Sequence, residues 1–139
     1  MPRRVPGVLR PLLTAAVLIS AAAPVVAQPI AHPVATFAGL DKITGRITRF
    51  DVYVDETVLF GALEITPRAC YERPATDTVQ RTTAFLEVNQ MSLDGTSERI
   101  FTGWMFADSP ALSAVDHAVY DVWLIECKVT TNVPPPDQR

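Results

Sequence analysis

"TTAFLEVNQMSLDGTSERIFTGWMF", Thr82 to Phe106, alternates apolar and polar residues on both sides of an Asp94-Gly95 break. Ala84, Leu86 and Val88 fall on one side of an extended chain, with Glu87 and Asn89 on the other. A period of two is that of a half-buried strand. Asp-Gly supplies the positive φ angles of a tight hairpin, so the two runs are predicted to pair antiparallel. In the returning run Ile100, Thr102, Trp104 and Phe106 share a face, and Gly103 marks a bulge or a close approach by another backbone.

The same period extends outward in both directions. In "RITRFDVYV" (46–54), Thr48, Phe50, Val52 and Val54 oppose Arg49 and Asp51. "TVLFGALEI" (57–65) is apolar on both sides, the pattern of a central strand, which Pro67 closes. In "YDVWLIECKV" (120–129), Trp123, Ile125, Cys127 and Val129 face one way and Tyr120, Val122 and Leu124 the other. Trp123 is therefore read as core, whereas Trp104, beside a glycine and before an irregular loop, fits core or surface. Ser109-Pro110 has the residue types of a helix N-cap and first turn, giving one short helix of one or two turns. The expected fold is all-β: a small antiparallel sandwich or barrel of at least five strands.

The chain starts with Arg3, Arg4 and Arg10, followed by the uncharged "PLLTAAVLISAAAPVVA" (11–27). Small side chains at Val25 and Ala27 fit signal-peptidase recognition, so residues 1–27 read as a signal peptide cleaved before Gln28. Pro24 interrupts the apolar run, which is short for a membrane span of about 20 residues. No cysteine follows it, which argues against a lipoprotein, and an alanine-rich leader of this kind makes the periplasm the expected destination. Residues 28–37 read as an extended segment, 38–129 as one β domain and 130–139 as a disordered, proline-rich tail.

The leader takes three arginines with it, so the net charge of −3 over the whole chain becomes −6. That argues against nucleic acid or anionic lipid headgroups as partners, since both demand clustered cations. Cys70 and Cys127 are the only cysteines. In an oxidising compartment such a pair forms a disulfide, and closing so long a loop is worth about 4 kcal/mol in the chain-entropy model. There is no CxxC, and two distant thiols lack the further ligands zinc needs.

Chemistry-bearing motifs are sparse. His32 and His117 are the only histidines, so a zinc site built on several histidines is excluded by count. No calcium loop, Walker loop, GxGxxG or GxSxG occurs. No cofactor or metal is expected. Ser109 or Ser113, His117, and Asp116 or Asp121 contain the residue types of a hydrolytic triad, but any histidine near serines does so. The preferred reading is that His117 bonds a backbone group at a strand entrance.

The stretches "LDKITGRI", "ALEITPRACYERP", "AFLEV", "IFTGWMFADSPAL" and "YDVWLIEC" span Leu40 to Cys127. In them the chain resembles the small exported alphaproteobacterial proteins grouped as domain of unknown function 2155. Where that family usually has Glu-His-Pro-Val-Tyr, this chain has Asp116-His117-Ala118-Val119-Tyr120. The resemblance implies envelope localisation and the cysteine pair, and implies no activity.

The leading functional expectation is a non-catalytic periplasmic module that binds a partner protein or envelope component. Trp104, Phe106, Leu112, Asp116, His117 and Tyr120 are its candidate surface, because loops beside a rigid sheet concentrate binding residues. The alternative is a small β-barrel holding an apolar or lipid-like ligand, and the third reading is a hydrolase using His117. A cavity lined by Leu63, Ile65, Trp104 and Val122 would mark the ligand binder. An exposed aromatic patch would mark the interaction module.

Overall fold

The computed structural model describes residues 1–4, 7 and 27–138. The expected leader falls largely on residues 5, 6 and 8–26, outside the described residues. Nine strands are present among the described ones: β1 (Ile30–Ala31), β2 (Val34–Asp41), β3 (Arg46–Tyr53), β4 (Val58–Phe60), β5 (Leu63–Glu72), β6 (Thr82–Met91), β7 (Ser97–Phe106), β8 (Val115–Asp116) and β9 (Tyr120–Lys128). They form two antiparallel sheets. The first has the order β1-β5-β6-β7 with β4 also pairing β5, and the second the order β3-β2-β9-β8. The architecture is thus the sandwich, not the barrel.

The two runs pair antiparallel as expected, with Met91 opposite Ser97 at the head of the β6–β7 ladder, but residues 92–96 form the loop and Gly95, not Asp94, takes the positive φ. Ala84, Leu86 and Val88 are fully buried. Between the sheets they meet Leu63, Ile65 and Met105 from the first sheet and Phe37, Val52, Val122 and Leu124 from the second.

"TVLFGALEI" is not one central strand. It folds back at Gly61-Ala62, so that Phe60 pairs with Leu63. Gly61 sits at φ 58°, in the left-handed region, and a Cβ there would lie 2.2 Å from Cζ of Tyr120. Only glycine satisfies both constraints. Gly39 on β2 makes the second close approach: its Cβ would lie 2.5 Å from Cζ of Phe60. Two glycines therefore seat two rings at one end of the sandwich, where Phe60 meets Tyr120 edge-on (centroids 5.4 Å apart) and stacks on Phe50 (5.5 Å).

Pro67 does not close the strand either. β5 continues through it, and the register shifts between Pro67 and Ala69, leaving Arg68 as an extra, bulged residue. A bulge reverses the alternation of everything after it. Leu63, Ile65 and Pro67 point inward before the bulge, and Cys70 points inward after it. β9 has the matching device: Thr36 faces Glu126 while Phe37 faces Leu124, so Ile125 is the extra residue. Val122 and Leu124 point inward before it and Cys127 after it. The Cys70–Cys127 disulfide, with a sequence separation of 57 and Cα atoms 5.7 Å apart, thus joins strand to strand across the two sheets, with Cys70 inside β5 and not beyond a strand closed at Pro67.

Trp123 is corrected by the same bulge. It lies between two buried neighbours, Val122 and Leu124, so it faces outward from the second sheet and is half-buried there. The domain also begins before the expected Ala38: Val34, Ala35 and Phe37 are fully buried in β2. Within the expected tail, the Val133 carbonyl accepts from the Tyr53 hydroxyl (2.9 Å) and Thr131 donates to Asp51, so this segment lies against β3. The expected short helix is a single 3₁₀ turn, Pro110–Leu112, with no side-chain cap from Ser109. A second 3₁₀ turn spans Pro136–Gln138. Among the described residues no helix is long and apolar enough to cross a membrane.

Candidate functional site

The six candidate surface residues separate into groups. Trp104 and Phe106 project from the outer side of the first sheet, because Met105 between them is buried. Asp116, His117 and Tyr120 lie at the β8–β9 turn of the second sheet. Leu112, 76% exposed, sits on the 3₁₀ turn between them in sequence.

The β8–β9 end is internally committed. Lys42, from the β2–β3 turn, donates to Asp116 (2.9 Å) and to the His117 carbonyl (2.7 Å), and lies 2.8 Å from Asp121. Hydrogen bonds to Asp121 and Asp116 raise the Lys42 pKa above the ordinary lysine value, and the same ammonium lowers that of Asp116. His117 accepts the Val119 N–H on Nδ1 (3.1 Å) and stacks on Tyr120 (centroids 5.7 Å). His117 therefore bonds backbone at a strand entrance, as its preferred reading has it. Both aspartates serve Lys42, so no carboxylate of this group orients the imidazole as a triad requires. Tyr120 packs against the core.

The Trp104 end differs. Trp104 is 42% exposed on the edge strand β7, yet two rings from further into the sheet pack against it. Phe85 on β6 meets it edge-on (5.3 Å, 69°), and Tyr71 on β5 lies tilted beside it (6.0 Å, 31°). The Arg68 bulge makes this possible: turning Cys70 inward turns Tyr71 outward onto the Trp104 side. The Arg81 guanidinium lies over the Phe106 ring, 5.7 Å from its centroid, a cation–π placement. Together Tyr71, Trp104, Phe106, Arg73, Arg81 and Thr83 line a cleft of about 500 Å³, walled on one side by Ala27 and Pro29 and including Glu72. Sequence reasoning found Trp104 and Phe106 but missed Tyr71, Phe85, Arg73 and Arg81. The signal for Tyr71 was its place next to Cys70.

Further along the same sheet surface the aromatic patch gives way to ion pairs. Arg68 bridges Asp55 (3.1 Å) and Glu87 (3.0 Å), and Arg99 reaches Glu87 (3.1 Å). A second cleft, about 410 Å³, lies on the other sheet between Pro110, Ala111, Ala114 and Trp123, with Asp116 and Asp121 at its edge. Leu63, Ile65 and Val122 are fully buried between the sheets while Trp104 is outside, so those four residues line no common cavity. Among the described residues no group of three His, Cys, Asp or Glu side chains converges.

Comparison with curated proteins and with solved structures returns no match. Residues 35–127 match the family described as "Uncharacterized protein conserved in bacteria (DUF2155)". That interval holds β3 to β8 entire, all of β2 but its first residue, and β9 as far as its cysteine. With most of its length inside that match, the chain is a member of the DUF2155 family.

Proposed function

We propose that the protein is a non-catalytic module of the cell envelope that binds a partner through the Trp104 cleft. One observation carries this reading: a large aromatic side chain is left substantially exposed on the outer side of a sheet, while rings on β6 and β5 pack against it. Exposed, pre-oriented aromatics with arginines beside them have the composition of binding hot spots. Ordering them beforehand lowers the entropy lost on association.

The envelope location rests on the leader and on the disulfide, which suits an oxidising compartment. Cleavage before Gln28 would also remove Ala27 from the wall of the cleft and place the new terminus beside Pro29. The barrel alternative loses support because the sandwich interior is filled by side chains. The hydrolase reading loses support because Lys42 takes the aspartates that His117 would need.

Sedimentation with isolated bacterial envelopes tests the proposal. The protein should pellet with envelopes, and Trp104→Ala should release it while Leu112→Ala should not. Equal pelleting of both variants and the parent would contradict the assignment to this cleft.

A further inference from the structure

We propose that the Trp104 cleft takes an acidic polysaccharide strand, with sugar rings on Tyr71 and Trp104 and carboxylates on Arg73 and Arg81; this rests on the cleft being the binding surface. The cleft floor is made of rings. Tyr71, Trp104 and Phe106 supply it, and the remaining apolar lining is Pro29, joined by Ala27 in the uncleaved chain. Among the described residues no leucine, isoleucine, valine or methionine lines it, so these supply no deep aliphatic pocket of the kind that anchors an apolar peptide side chain.

Ring faces carry the negative lobe of the aromatic quadrupole, and the C–H faces of a pyranose present weakly positive hydrogens to it. The planes of Tyr71 and Trp104 are inclined by 31° with centroids 6.0 Å apart, a spacing comparable to that of successive sugars along a strand. Phe85 backs the indole from the next strand.

The polar groups at the rim select for charge. The Arg81 guanidinium lies over the Phe106 ring, which consumes none of its N–H donors, and its ion pair with Asp108, at 3.8 Å, is beyond hydrogen-bond distance. Arg73 gives one Nη to Asp77 at 2.9 Å, which holds the planar fork in place. Such forks match a carboxylate in two-point geometry. The acid in the lining, Glu72, lies 3.2 Å from His32 Nε2. Within the lining two guanidiniums with unused N–H donors stand against the one carboxylate of Glu72, while Asp77 and Asp108 pair with them from outside it.

The test uses protein purified from cells expressing the full chain and two probes in calorimetric titrations. One is peptide-free glycan strands of peptidoglycan, which carry lactyl carboxylates; the other is neutral N-acetylglucosamine oligomers. The acidic strands should bind about tenfold more tightly, the scale of one charge-assisted contact. Arg81→Gln should weaken the acidic strands about tenfold and leave the neutral oligomers unchanged, while Trp104→Ala should weaken both. Should Trp104→Ala fail to fold, the arginine variant and the two probes still decide. Equal affinity for both probes with no effect of Arg81→Gln overturns the acidic-ligand inference. Binding of neither probe, with pelleting on envelopes still dependent on Trp104, overturns the glycan and leaves the module with a protein partner. Binding of neither, with pelleting independent of Trp104, removes both readings.

Discussion

Phe85 meets the Trp104 indole edge-on, with centroids 5.3 Å apart, on the solvent side of a sheet whose other side is the core. An aromatic pair of this kind is worth about 0.5–1.5 kcal/mol beyond its buried area. Trp104→Ala should therefore cost only about 1–2 kcal/mol of stability, since much of the indole is already in water. Phe37→Ala, at a fully buried ring, should cost about 3–5 kcal/mol. Denaturant melts of the two variants check this. Equal costs would make Trp104 a core residue and not a presented one.

Each cysteine faces inward because a bulge absorbs the extra residue before it, and this phase argument is testable. With the thiols oxidised, a blocking reagent should label nothing on the folded protein; replacing both cysteines by alanine should cost about 4 kcal/mol for a loop of this length. Deleting Ile125 removes the extra residue of β9 but keeps Glu126 opposite Thr36 and Cys127 opposite Ala35, so Cys127 should still face inward and the disulfide should still form. Free thiols that react in the folded deletion variant would contradict the phase argument.

Gly39 and Phe60 should behave as one unit. A methyl group on Gly39 would overlap the Phe60 ring, so Gly39→Ala should destabilise by about 1–3 kcal/mol, the range for forcing atoms into a packed site. In a Phe60→Ala background the same substitution should cost much less, a non-additivity that a double-mutant cycle measures. Additive losses would mean that the ring does not sit on the glycine.

Much of the fold was legible because alternation is a local property. β6, β7 and their turn follow from Ala84-Leu86-Val88 and Asp94-Gly95, and the run from Tyr120 reads as a strand on the same grounds. What alternation does not reveal is an inserted residue. Arg68 and Ile125 look like ordinary strand positions, yet each reverses the phase after it, which is why Trp123 was read inward and the setting of Cys70 misjudged. A third bulge, at Ile100 and not at Gly103, lies in β7. Gly61 was hidden for another reason: its turn is set by the Tyr120 ring, distant in sequence. In the candidate site, the rings on β7 were legible as an aromatic run, but their neighbours come from β5 and β6, and Lys42 comes from a turn at the other end of the chain. Such partners are fixed by sheet order, which no single stretch encodes.

Acid should release the segment after β9. Burial pushes the Asp51 carboxyl up, but hydrogen bonds from Lys128, Thr131 and Thr36 outweigh it and hold its pKa below the ordinary value of 3.8. A carboxyl depressed in the folded state stabilises above its unfolded pKa, and that stabilisation is lost as the pH falls through the folded value. Amide signals of Thr131 and Val133 should therefore keep their neutral-pH positions down to about pH 4 and shift below it. Asp51→Asn should destabilise at pH 7 and matter progressively less in acid. A difference between parent and variant that grows below pH 4 would reverse the sign and contradict the account.

The central claim is that the Trp104 cleft, and not the β8–β9 end, meets the partner. A photo-crosslinking residue placed at Thr83, on the cleft wall, or at Leu112, on the 3₁₀ turn, can be compared in living cells by mass spectrometry. The account predicts a discrete adduct from Thr83 that disappears with Trp104→Ala while the melting temperature shifts by only a few degrees, and no such Trp104-dependent adduct from Leu112. An adduct from Leu112 alone, or one from Thr83 that survives Trp104→Ala, would contradict it.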